Sequence, residues 1–321
     1  MRKIIISFFI VCGLCALAGC VSTGNTPQDI RYTLHKDLSY GAYERNLVDI
    51  SIPHTAPQGV ILFIHGGIWM YGDKSNCPIF LDTFRDRFVT ASMSHRYLDE
   101  TTHMQDLEGD VAAAVSFIRD FCAEQNIDPG KLILMGHSSG AHLAMLYAYK
   151  QHEPALPIAF CVNMAGPADL ADTAFLYNFK KLRWEKLFYE LAEKATGHHI
   201  ETGDITSEGY SESSLKILEA ISPIYFVTAE SPPTIIAHDA ADRLVPYANS
   251  TALNSVFNVY GIDHEFIALY SGIGHFLGAK LVKGGALLYD KPLEERIIRA
   301  MNEYIEKYCG HPPKKQENES R

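Results

Sequence analysis

One serine stands out for what surrounds it. Ser138 sits at the centre of Gly136-His137-Ser138-Ser139-Gly140, the spacing G-x-S-x-G. A serine hydroxyl is a poor nucleophile until it is held exposed beside a base. This motif does that by placing the serine on a sharp turn between a strand and a helix. The glycines two positions to either side let neighbouring backbone pass without a Cβ in the way. A bare match to five positions carries modest weight, so the flanks decide. An apolar run, Lys131 to Met135 (KLILM), leads in, and a helical stretch, Ala141 to Lys150, leads out. That helix aims its free N–H groups and its positive end at the serine. The chemistry this setting serves is nucleophilic attack on a carbonyl.

Such attack builds negative charge on the carbonyl oxygen, and preset backbone N–H donors stabilise it, each worth about 3 kcal/mol. A second glycine-rich loop, His65-Gly66-Gly67-Ile68-Trp69, follows the apolar run Gly59 to Ile64 (GVILFI). It is suited to supply those donors. The candidates for this oxyanion hole are the N–H groups of Gly67, Ile68 and Ser139. His65 precedes the serine and sits in a turn, so it is read as a brace for the loop and not as a base.

A base and an acid must complete the set. On a strand–turn–helix elbow of this kind the order along the chain is serine, then Asp or Glu, then His. Only His264, His275 and His311 follow the candidate acids. His311 lies in a Pro-rich tail. His264 begins a strand, whereas ligands of parallel sheets gather at the strands' carboxyl ends. His275, in Ser271-Gly272-Ile273-Gly274-His275-Phe276, lies just past such an end and is the candidate base. The acid belongs on the loop after Pro233 to Ala237, which holds Asp239 and Asp242. Asp242 is favoured, because Arg243-Leu244-Val245-Pro246 leads from it into a helix with Pro near its first turn. Asp239 is read as loop-shaping and is the alternative acid.

These residues need a scaffold. Apolar runs at Asn46–Ile52, Gly59–Ile64, Phe88–Ser94, Lys131–Met135, Ile158–Met164, Pro233–Ala237 and Glu265–Tyr270 read as strands. Helical spacing separates many of them. From Leu107 to Gln125, Val111, Val115, Ile118 and Cys122 form one stripe, and Lys291 to Tyr308 is a closing amphipathic helix. Apolar strands alternating with helices mean an α/β fold: a mostly parallel central sheet with helices on both faces. Ala168 to Pro223 is far longer than an ordinary crossover and is read as a cap insertion, with one helix from Phe179 to Ala195. Trp69, Tyr71, Tyr97 and the cap aromatics are candidates to line a pocket, though most are expected in the core.

Several segments together, in order, resemble α/β-hydrolase carboxylesterases. They are His65 to Lys74 (HGGIWMYGDK), the GHSSGAH segment closing at His142, and Ala165 to Leu170 (AGPADL). The D-x-x-V-P at Asp242 and the GHF at His275 complete the set. The likeness runs from about residue 40 to 308. It is similar to bacterial feruloyl-esterase-like and hormone-sensitive-lipase-like esterases and to kynurenine formamidases. Ile68 stands where the lipase-like pattern H-G-G-G has its third glycine, which points to the feruloyl-esterase and formamidase side. The resemblance implies the α/β-hydrolase fold and a serine esterase acting on small-molecule or carbohydrate-linked esters, without metal or cofactor. Tyr97 and Asp106 fall in a stretch it marks as structural. An amidase or arylformamidase, or a non-catalytic binding lipoprotein on the same fold, is the alternative.

The ends of the chain read differently. Arg2 and Lys3 precede an apolar run from Ile4 to Leu17, too short for a membrane helix, which needs about 20 residues. That pattern is an export leader over residues 1–19. Leu17-Ala18-Gly19-Cys20 resembles a lipobox, which makes Cys20 the lipidated first residue of the mature protein; a plain secreted chain is the alternative. Residues 20–30 read as a tether, 31–309 as the hydrolase domain with its cap at 168–223, and 310–321 as a disordered tail. Anchorage to a bacterial envelope membrane follows from the lipobox. The formal charge is −10, and −12 once Arg2 and Lys3, the only charged residues of the leader, are removed. Such acidity argues against nucleic acid as a partner. Cys122 and Cys161 sit in apolar stretches and read as buried free thiols. His198-His199 with Glu201 lacks metal-ligand spacing, so no metal site is assigned.

Overall fold

The computed structural model describes residues 31–310 apart from 151–152, 201–204 and 207–208. The export leader, Cys20, the tether to residue 30, Glu201 and tail residues 311–321 lie outside the described residues.

Eight strands form one sheet: β1 (Tyr32–Ser39), β2 (Leu47–Pro53), β3 (Val60–Ile64), β4 (Val89–Met93), β5 (Leu132–His137), β6 (Ile158–Met164), β7 (Thr234–Asp239) and β8 (His264–Leu269). Their spatial order is β1-β2-β4-β3-β5-β6-β7-β8. β2 is antiparallel to both of its neighbours, and the six strands from β4 to β8 run parallel. This is the α/β arrangement that the alternating pattern implied.

The central strands are fully buried because both faces are covered. β3 shows how. Val60, Leu62 and Ile64 join the core beneath α1 (Met104–Glu124) and α2 (Ser139–Lys150), while Ile61 and Phe63 join the opposite core beneath α7 (Lys291–Tyr308). Side chains of a strand alternate between faces, so a strand buried on both sides is apolar throughout. Val111, Val115, Ile118 and Cys122 of α1 are all buried, as their spacing required, and Cys122 and Cys161 are free thiols in the core.

Two expectations need correction. β1 was not anticipated. It is an edge strand, mostly exposed, and its register on β2 shifts between His35 and Leu38, so it has no clean apolar period. The single helix expected from Phe179 to Ala195 is two, α3 (Thr173–Lys181) and α4 (Glu185–Thr196). Asp172 caps α3 through Ala174 N–H, and the chain turns at Arg183, whose φ is 60°. A short α5 (Glu212–Glu219) follows, and α6 (Tyr247–Tyr260) lies between β7 and β8.

The parallel strands bring the loops after β3, β5, β7 and β8 to one edge of the sheet. Those loops carry His65 to Trp69, Ser138, Asp242 and His275. Crevices outside the carboxyl ends of parallel strands are where such sheets bind ligands.

Candidate active site

Ser138 is the turn between β5 and α2, and its φ is 54°. A left-handed backbone costs a non-glycine residue roughly 1–2 kcal/mol. The fold holds it there by two hydrogen bonds: Ser138 N–H to Met164 O (2.8 Å) and His142 N–H to Ser138 O (3.1 Å). The turn also needs Gly140. A Cβ on that residue would stand 2.1 Å from Ile64 O and 2.4 Å from His65 O. α2 thus starts in direct contact with the end of β3, and Ser138 faces the loop that follows β3.

The three side chains singled out from the sequence meet here. His275 Nε2 is 2.8 Å from Ser138 Oγ, and His275 Nδ1 is 2.7 Å from Asp242 Oδ2. A carboxylate only accepts, so Nδ1 carries the imidazole proton and Nε2 is left to accept from the serine hydroxyl. Asp242 Oδ1 accepts from Leu244 N–H (2.8 Å) and Val245 N–H (3.0 Å). Burial pushes the Asp242 carboxyl up, but the His275 charge and the hydrogen bonds from His238 and His275 outweigh it and hold the group below the ordinary carboxylate range. It stays an anion in a buried place.

The loop after β3 bends back over this hydroxyl. Gly67 has φ 130°, and a Cβ there would fall 2.1 Å from Tyr71 O, so only glycine fits. Ile68 (φ 48°) and Trp69 (φ 59°) are also left-handed, an outlying conformation for a β-branched residue. The amides of Gly67, Ile68 and Ser139 donate no hydrogen bond to the described residues. His65 is buried, with Nδ1 2.8 Å from Gly66 O and its ring stacked 4.4 Å from that of His95. It braces the loop from behind.

Sequence reasoning missed three histidines that support the site. His238 Nε2 donates to Asp242 Oδ2 (3.0 Å), while its Nδ1 accepts from Ser250 Oγ (2.7 Å). His137 Nε2 donates to the His275 carbonyl (3.1 Å) and so fixes the backbone of that residue. His142 accepts from Trp69 Nε1 (3.3 Å) and donates to Ile221 O (2.8 Å), joining the β3 loop to the end of the insertion. Burial pulls His137 down to about 3 and His142 down to about 4, so both are neutral near pH 7. One signal was available: His238 lies four residues before Asp242.

Other candidates fall elsewhere. Asp239 shapes its loop, accepting from Ala241 N–H (2.7 Å) and Ser271 Oγ (2.8 Å). His264 opens β8 at the opposite edge of the sheet. Tyr97 donates to Gly72 O and lies under Arg45, and Asp106 caps α1 and pairs with Arg96. His198 and His199 are exposed, with Nδ1 of His199 facing Glu193.

Beside Ser138 is a cavity of about 60 Å³. Ile68, Trp69, Ser139 and Val245 form its sheet side; Phe175, Phe179, Phe188 and Ala192 of α3 and α4 roof it. The insertion therefore covers the ligand edge of the sheet. Of the other aromatic candidates, Tyr71 is exposed, and Trp184 and Tyr189 are half-buried against the same core as Trp69.

A profile of the BD-FAE family matches residues 48–257, about two thirds of the chain and both the elbow and the Asp242 loop. The chain belongs to the BD-FAE family. Esterase LipQ of Mycobacterium tuberculosis is 27% identical over 70% of this chain and 53% of its own length. The isoprenylcysteine alpha-carbonyl methylesterase ICME of Arabidopsis thaliana is 25% identical over 88% of this chain and 66% of its own length. This BD-FAE chain thus spans less than two thirds of those relatives. In fold it is similar to a truncated carbohydrate esterase from gut microbiota (TM-score 0.64, 20% identity, covering 88% of this chain and 99% of that one). Esterase B of Lactobacillus rhamnosis superposes with TM-score 0.66 at 15% identity, covering 87% of each chain.

Proposed function

We propose that this protein is a carboxylic ester hydrolase that works through an acyl-enzyme on Ser138. One observation carries the reading: His275 bridges Ser138 Oγ and Asp242 Oδ2 at 2.8 and 2.7 Å. Ser138 Oγ attacks the ester carbonyl as its proton passes to His275 Nε2. Asp242 holds the imidazole in the working tautomer and stabilises its charged form. The N–H groups of Gly67, Ile68 and Ser139 receive the oxyanion. The imidazolium returns the proton to the leaving alcohol. A water, deprotonated by the same nitrogen, then releases the acid and frees Ser138.

The esterase names of LipQ and the isoprenylcysteine methylesterase support ester over amide. The likeness to a carbohydrate esterase supports a sugar-linked ester as one substrate class. A fluorophosphonate probe tests the reading: the intact protein is labelled and Ser138→Ala is not. Labelling that survives Ser138→Ala would overturn it.

The Leu17-Ala18-Gly19-Cys20 segment supports lipid anchorage through Cys20 and a place on a bacterial envelope membrane. Acyl chains bind a bilayer at about 0.8 kcal/mol per buried CH₂. Cys20→Ser then moves the protein from the membrane fraction to the soluble one; an unchanged distribution would count against the anchor.

A further inference from the structure

A groove distinct from the apolar cavity lies between α3 and the loop after β7. Asn178, Lys181 and Leu182 form its insertion wall, and residues 240–243 form the other. We infer that this groove takes the alcohol half of the ester and selects alcohols that carry an anionic group, a carboxylate or a phosphate. The inference rests on Ser138 being the nucleophile.

Charge points to the ligand. The chain as a whole carries −10, yet residues 173–189 hold Lys180, Lys181, Arg183 and Lys186 against one acid, Glu185. Lys180 pairs with that acid at 3.4 Å. Lys181 and Arg243 are exposed and have no carboxylate partner among the described residues; Lys181 Nζ stands 5.0 Å over the Tyr177 ring. The acid that lines the groove, Asp242, does not neutralise them. Its side chain is wholly buried, and its oxygens receive His238, His275 and the Leu244 and Val245 amides. Asp239 is likewise occupied by Ala241 N–H and Ser271 Oγ. Two cations from different elements thus line one groove, and Asn178 adds a neutral amide donor. Guanidinium and ammonium groups so placed bind carboxylate and phosphate oxygens. A local sign opposite to that of the whole molecule also raises the concentration of anions beside the cleft.

Position points to the half of the ester. The leaving oxygen collects its proton at His275 Nε2, so the alcohol departs past the His275 loop. The groove's 240–243 wall adjoins that loop. A Cβ on Gly274 would stand 3.7 Å from Ala241 O, and Asp242 holds the His275 ring. The apolar cavity lies on an adjoining face of α3, which Phe175 and Phe179 line, whereas Asn178, Lys181 and Leu182 border the groove. No charged side chain lines that cavity, and an anion would be costly there. An ester with one anionic half is therefore held one way round, with the charge in the groove.

The test compares three acetates that differ in the leaving phenol: meta-acetoxybenzoate, its neutral amide meta-acetoxybenzamide, and meta-acetoxyphenyl phosphate, read as kcat/KM. Exposed ion pairs are individually modest, so each cation should give about 3-fold, and the two together about 10-fold, in favour of an anionic ester over the amide. A gain confined to the benzoate makes this a carboxylate site, and one confined to the phosphate a phosphate site. Arg243→Gln and Lys181→Gln should each lower the anion-to-amide ratio about 3-fold, and the double variant should bring it to about one. Arg243→Lys should keep most of the preference. Lys36→Gln removes a cation from the edge strand β1, at the other end of the sheet from β7, and should leave the ratio unchanged. A parent ratio of one or below, or a preference that survives the double variant, would overturn the groove while fluorophosphonate labelling kept Ser138 as the nucleophile. A protein that takes the label but cleaves none of the three also overturns the groove alone. One that cleaves none and takes no label overturns both readings.

Discussion

His238 Nε2 lies 3.0 Å from Asp242 Oδ2, the same oxygen that receives His275 Nδ1 at 2.7 Å. With two backbone N–H groups on Oδ1, four donors fix one carboxylate. His238 and the Asp242 side chain are wholly buried. Losing the His238 donor leaves more of the negative charge for His275 and frees the carboxylate to rotate. His238→Leu should therefore lower kcat/KM by about 10–100-fold, and His238→Gln, which keeps an N–H in reach, should recover most of it. Removing the donor should also shift the acid limb of the rate profile upward. Equal losses in the two variants with no movement of that limb would reduce His238 to packing.

The two acids of this loop make separable predictions. Asp242→Asn should cost about 10³–10⁴ in kcat, because the imidazole loses its orienting anion. Asp239 touches Ala241 N–H and Ser271 and does not reach His275. Asp239→Asn should therefore change kcat less than about 10-fold and act mainly on thermal stability. Steady-state kinetics of both variants checks this; the reverse pattern would move the acid to Asp239.

Gly140 is a steric requirement. Its missing Cβ leaves room for Ile64 O and His65 O, both backbone atoms that cannot swing away. Gly140→Ala should displace the start of α2 from β3. A loss of at least about 2 kcal/mol, of the size seen for overpacking in a core, is expected in denaturant unfolding, with Ser138 out of register. A melting curve matching that of the parent chain would contradict the close approach.

Four buried histidines predict acid sensitivity of the fold. Burial lowers His65, His95, His137 and His142, the last three to about 4, 3 and 4, against an ordinary 6.5. The unfolded chain protonates these groups first as pH drops. Their contribution to stability is therefore complete above about pH 6.5 and is lost as pH falls toward the folded values. The urea midpoint should fall steeply between pH 6.5 and 4.5. A flat midpoint across that range would mean that these rings do not stay neutral in the folded protein.

Much of this site is readable before any coordinates because its signals are local. The elbow announces itself by two glycines around Ser138 and by the runs on either side. His275 and Asp242 follow from chain order and from the ends of their strands. The supporting histidines are harder to see. His137 bonds to a carbonyl 138 residues away, and His142 to one 79 away, so nothing nearby in the chain marks them. The same holds for β1, whose exposed residues show no period, and for the break at Arg183, which Trp184 N–H closes by bonding to Phe179 O. Periodicity reports burial along one element; it is silent on a polar group whose partner comes from another.

Ile68 ties two parts of the proposed site together. In the proposed reaction its amide is an oxyanion donor, and the residue lines the apolar cavity beside Ser138. Both depend on a left-handed turn that a β-branched residue adopts only under constraint. Replacing this residue to reshape the cavity would therefore also disturb the amide, so the two cannot be altered separately at this position. Reshaping the cavity has to begin on the helical roof instead.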